Sequence, residues 1–117
     1  MDERDYHISK YEYLELKYFC LQCGEKKKYI NSCRTNGYSV MNSVERAIND
    51  FKQIETALEL ATDNEIIREY LRLSVTTDTK FDLLDVPMGR RQFYALRRKF
   101  FYILRDLRHT EIFSERR

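Results

Sequence analysis

Two groups of residues in this chain of 117 have the types and spacing for chemistry: a run of arginines toward its end and three cysteines toward its start. The arginines follow a corner, Val86-Pro87-Met88-Gly89, and lie in Arg90-Arg91-Gln92-Phe93-Tyr94-Ala95-Leu96-Arg97-Arg98-Lys99-Phe100-Phe101. Phe93, Leu96, Phe100, Ile103, Leu104 and Leu107 repeat at helical spacing, while Arg90, Arg91, Arg97, Arg98 and Lys99 fall largely off that stripe. One side of such a helix needs a core, and the other can neutralise an anion. The polyanion with a groove sized for a helix is double-stranded DNA.

The cysteines carry a weaker signal. Cys20 and Cys23 form a Cys-x-x-Cys pair with Cys33 ten residues on, but a structural zinc site needs four ligands, and His7 and His109 are not at finger spacing. A thioredoxin-type pair would follow a strand, whereas Leu14-Glu15-Leu16-Lys17-Tyr18-Phe19 reads as helix. Cys20 is therefore read as a small apolar core residue and Cys23 as a partly exposed thiol. Asp82 and Asp85, three apart, have the spacing of carboxylates that solvate a helix or meet a neighbouring arginine rather than hold a metal. No Gly-rich phosphate loop, His-x-x-x-His pair or Ser/His/Asp set is present, so no enzyme, metal or cofactor is expected.

Charge is divided along the chain. Residues 1–85 hold 12 Lys/Arg against 16 Asp/Glu, and residues 86–117 hold nine against three, so a net −4 is followed by +6. That asymmetry points to a polyanion-binding unit joined to a different one. No stretch is long and apolar enough to cross a membrane, and the acidic start, Met1-Asp2-Glu3-Arg4-Asp5, does not read as a secretory signal. A cytoplasmic protein is expected, in keeping with unpaired cysteines.

The elements that must position the arginines are all helical, since no segment alternates at period two. Ser9 with Glu12 forms a capping box for a first helix from Lys10 to about Cys23; Gly24 interrupts it, and helix resumes to about Cys33. Arg34-Thr35-Asn36-Gly37-Tyr38 reads as a turn. Asn42 or Ser43 caps a second helix with Val44, Ala47, Ile48, Phe51, Ile54, Leu58 and Ala61 along one side. A third starts at Asp63 and runs to about Ser74, with Ile66, Ile67, Tyr70, Leu71 and Leu73 as core candidates. A short fourth helix, Lys80 to about Asp85, turns Phe81 and Leu84 inward.

Short helix, tight corner and long helix together match a helix-turn-helix, with Val86 plugging the angle, Pro87 ending the first helix and Gly89 capping the second. Arg90, Arg91, Tyr94 and Arg98 then lie nearest the base edges, and Arg97, Lys99 and Arg105 nearest the phosphates. The architecture expected is all-α. Residues 1–75 form a helical oligomerisation part and residues 76–117 a DNA-binding part, with a single compact domain as the alternative.

Leu16-Lys17-Tyr18-Phe19-Cys20-Leu21-Gln22, Val86 to Tyr94 and Arg97-Arg98-Lys99-Phe100-Phe101 together resemble the RinA/ArpU-type late transcription regulators of phages and prophages in Gram-positive bacteria. The resemblance implies a C-terminal helix-turn-helix like region 4 of a sigma factor, in the cytoplasm of a bacterial host. It also implies binding upstream of late genes such as those for DNA packaging, activation of their transcription, and host RNA polymerase as a partner. Two other readings fit the residues: an interaction module whose basic helix docks on an acidic protein surface, and a small phage DNA-packaging subunit. The first part of the chain offers more helical surface than a tri-helical DNA-binding unit needs, so a homodimer is expected.

Overall fold

The computed structural model describes residues 6–35 and 42–115, with side chains placed over 6–27 and 45–110; the Asn36-Gly37 turn and the Cys33 side chain lie outside these. The described residues form five helices and no strand: α1 Lys10–Thr35, α2 Asn42–Ala61, α3 Glu65–Thr77, α4 Phe81–Leu84 and α5 Arg90–Glu115.

Local chemistry sets the helix starts. At α1 the Glu12 amide donates to Ser9 Oγ (3.1 Å) and the Ser9 amide donates to Glu12 Oε1 (3.3 Å), so the capping box is formed in full. α3 starts two residues later than its Asp-Asn-Glu run implies. Asn64 is the cap, its Oδ1 accepting from the amides of Ile66 (3.0 Å) and Ile67 (3.1 Å), and the helix runs past Ser74 to Thr77. α2 begins at Asn42, and the side chains of Asn42 and Ser43, expected as caps, lie outside the described ones. α1 does not break at Gly24 but continues unbroken for 26 residues. A Cβ on Gly24 would lie 2.3 Å from the Thr76 carbonyl oxygen, so the glycine serves a close approach of α1 and α3 rather than a turn.

One hydrophobic core draws on every helix. Leu16, Cys20 and Cys23 come from α1, Ile54, Ala57, Leu58 and Ala61 from α2, and Leu71 and Val75 from α3. Leu84 enters from α4, and Phe93, Phe100, Phe101 and Leu104 from α5. α5 packs chiefly on α2, and α1 on α3 and α2. Three of the largest fully buried side chains are phenylalanines of α5, each burial being worth about 1.5–3 kcal/mol, so the Arg-rich helix is anchored by its opposite side. Ile66 and Leu73, expected in the core, are 63% and 40% exposed: they lie seven residues apart, two turns along the outer side of α3, while Ile67, Leu71, Ser74 and Val75 fill the inner side. Cys23, expected to be partly exposed, is buried.

Polar ties cross the same interfaces. The Arg72 guanidinium forks onto both carboxylate oxygens of Glu55 (2.7 and 2.8 Å) and also meets Glu69, joining α3 to α2. Arg108 stacks over Phe19, 3.7 Å to the ring centroid, and donates to Gln53 Oε1 at 3.0 Å, so one side chain of α5 grips α1 and α2 together.

Candidate nucleic-acid interface

The corner before α5 is made by short-range backbone chemistry. Asp85 ends α4 in the left-handed region (φ 56°, ψ 43°), a conformation that aspartate tolerates better than most residues. The Met88 amide then donates to the Val86 carbonyl at 2.8 Å, a three-residue turn around Pro87. Val86 and Met88 pack against the core, and the Gly89 carbonyl accepts the first bond of α5 from the Phe93 amide (2.9 Å). Gly89 thus caps through its backbone.

The seven candidate residues divide into three sets. Arg91, Tyr94 and Arg98 project from the outer side of α5, and neither Arg91 nor Arg98 has an ion-pair partner among the described residues. Arg90 is exposed as well, but its Nη2 donates to Asp82 Oδ1 at 2.5 Å and its guanidinium lies over Phe81, 5.5 Å to the centroid. Hydrogen bond and charge from Asp82 hold the Arg90 pKa above its ordinary value. Tyr94 leans on Phe81 and Phe93, with ring centroids 6.3 and 6.1 Å away, and keeps one side open.

Arg97, Arg105 and Lys99 face other duties. Arg97 Nε donates to the buried Ser74 hydroxyl (3.1 Å) and Nη1 to the Tyr13 hydroxyl (2.9 Å), with Phe101 5.0 Å beneath the guanidinium. It stitches α5 to α3 and α1. Arg105 stacks on Tyr102 at 4.5 Å and meets Glu12 (3.8 Å) and Asp106 (3.4 Å). Lys99 Nζ lies over the Tyr6 ring at 6.0 Å. The outward set is therefore Arg91, Tyr94 and Arg98, with Arg90 shared between Asp82 and solvent.

No protein-family model, curated protein or solved structure matches this chain. The chemistry of the site thus rests on its own groups, which are cationic, planar and bidentate, suited to phosphate oxygens or to guanine edges. The cysteines offer no competing chemistry, because burial pushes the Cys20 thiol well up, with Cys23 adding to it, and pushes Cys23 up to about 11. The thiolate is the nucleophile and metal ligand, so both thiols are held in their inert form. No group of three or more His, Cys, Asp or Glu able to hold a metal occurs among the described residues.

Ser74 and Tyr13 were the residues that sequence reasoning did not attach to this region. Asp82 was legible as a carboxylate near an arginine; Ser74 and Tyr13 carried no signal, because their partner lies 23 and 84 residues away along the chain.

Proposed function

We propose that this protein is a DNA-binding transcription regulator that lays α5 into the major groove as the second helix of a sigma region 4-like helix-turn-helix. The observation that carries this reading is the pair Arg91 and Arg98, exposed, without an ion-pair partner among the described residues and two turns apart on the same side of a helix whose other side is locked into the core. Seven residues advance about 10 Å along a helix, so the two guanidinium groups address successive steps of one groove. Tyr94 stands between them, and Arg90 lies at the helix start, where recognition helices meet base edges. The resemblance to RinA/ArpU-type regulators extends the reading to activation of phage late genes.

Anisotropy titration of the full chain on phage promoter duplexes at two salt concentrations tests it. Binding should fall with salt, and Arg91→Ala/Arg98→Ala should weaken it by about 1–3 kcal/mol per lost base contact and relax its sequence preference. Absence of binding at low salt, or a double variant that binds like the parent, overturns the reading.

The same exposed arginines also suit an acidic protein surface. An interaction module docking its basic helix on RNA polymerase would lose that partner on Arg91→Ala/Arg98→Ala and show no duplex binding at low salt, as read by pull-down with purified polymerase and by the titration above.

A further inference from the structure

α1 is apolar along two opposite sides, although only one of them meets the core. Tyr13, Leu16, Cys20 and Cys23 form the inner seam, all buried or packed against the core. Tyr11, Leu14, Tyr18 and Leu21 form a second seam at the same 3-4-3 spacing, roughly 160° around the helix at about 100° per residue. Tyr11 is 79% and Tyr18 57% exposed, and neither Leu14 nor Leu21 belongs to the core or to the residues packed against it. A helix with apolar residues on both sides is ordinarily covered on both.

The charges beside the outer seam say what covers it. With Tyr11 and Tyr18 at a and Leu14 and Leu21 at d of a heptad, Lys10 and Lys17 fall at g, Glu15 and Gln22 at e. One flank is basic, and the other is acidic or neutral. None of Lys10, Glu15 and Lys17 has an ion-pair partner among the described residues. In a parallel helix pair g of one chain meets e of the other, so Lys10 faces the partner's Glu15 twice across a two-fold axis. In an antiparallel pair g meets g and e meets e, which opposes lysine to lysine and glutamate to glutamate.

We propose that the outer seam of α1 is a homodimer interface in which two copies of this chain pack α1 against α1 in parallel. The seam is self-complementary, as a two-fold interface must be. It lies on the side of α1 away from the core and uses none of the outward arginines of α5. The inference is independent of the DNA reading.

Light scattering and sedimentation of the full chain over a concentration series test the proposal. The parent should show twice the 14.3 kDa chain mass and dissociate on dilution. Tyr11→Glu/Tyr18→Glu should give the monomer mass with unchanged helical circular dichroism. Orientation is read from Lys10→Glu, which creates two like-charge pairs only in the parallel arrangement and should weaken the dimer about tenfold. Lys10→Glu/Glu15→Lys should restore it. A parent that stays monomeric, or a dimer indifferent to the tyrosine double variant, overturns the interface. A dimer indifferent to Lys10→Glu overturns its parallel sense, and because this residue is exposed the result does not depend on a core change.

Discussion

Gly24 on α1 lies against the backbone of Thr76 on α3: a Cβ there would stand 2.3 Å from the Thr76 carbonyl oxygen and 3.3 Å from the Thr76 Cβ. In an open helix Gly→Ala is worth about 1 kcal/mol of stability. Here the added methyl meets a fixed carbonyl, and overpacking of that kind costs about 1–3 kcal/mol or more. Gly24→Ala should therefore lower stability despite the better helix former, whereas Gly89→Ala, with nothing nearer than Gln92 Oε1 at 3.8 Å, should cost less, about 1 kcal/mol at most for a poorer cap residue. Urea denaturation of the two variants side by side checks the contrast.

The same glycine shows where sequence reading stops. As a local signal Gly24 reads as a break, and it is the neighbour across the interface that makes it a packing residue. What periodicity carries was legible: the all-helical class, the ladder of α2 from Ala47 to Ala61, the inward side of α5, and the Ser9–Glu12 box, which is a contact within one turn. Ile66 and Leu73 misled because α3 carries apolar residues on two sides, and only its neighbours decide which side is covered. Among the arginines, composition marked the cluster but not the division of labour. Arg97 and Arg98 are adjacent and alike in sequence, and the 100° between them sends one to Tyr13 and Ser74 and the other to solvent.

That division gives a paired expectation. Arg97→Ala removes two hydrogen bonds and the stacking on Phe101, leaving the buried Ser74 hydroxyl without its donor. The cost should be about 1–3 kcal/mol. Arg98→Ala, at an exposed side chain with no hydrogen-bond or ion-pair partner among the described residues, should remain within about 0.5 kcal/mol of the parent. Equal stabilities for the two would contradict the placement of Arg97.

Asp82 restrains Arg90, and this has a readable consequence for the proposed interface. Asp82→Asn removes a negative charge beside α5 and frees a guanidinium that is already exposed. Affinity for non-specific duplex should rise, and the log–log salt slope should steepen by up to about 0.9, the value of one further phosphate contact. Stability should hardly change, since solvent screens so exposed a pair. A variant with weaker binding would instead make Asp82 the residue that aims Arg90.

The buried thiols predict the alkaline limb of the stability curve. Cys23 ionises at about 11 in the folded chain against an ordinary 9.0, and burial shifts Cys20 in the same direction. Between those values the unfolded chain has lost thiol protons that the folded chain keeps, so stability falls as pH rises. Below 9.0 both states are protonated and the contribution is complete. Under reducing conditions, then, the parent should lose stability relative to Cys20→Ala/Cys23→Ala as pH is raised from below the ordinary thiol value toward 11. The cavities left by the alanines add an offset that does not depend on pH, so the slope isolates the thiols from titrating tyrosines and lysines. Urea midpoints that run parallel for the two proteins would mean that water reaches Cys20 and Cys23 in the folded state. Iodoacetamide should then label them in native protein rather than only after denaturation.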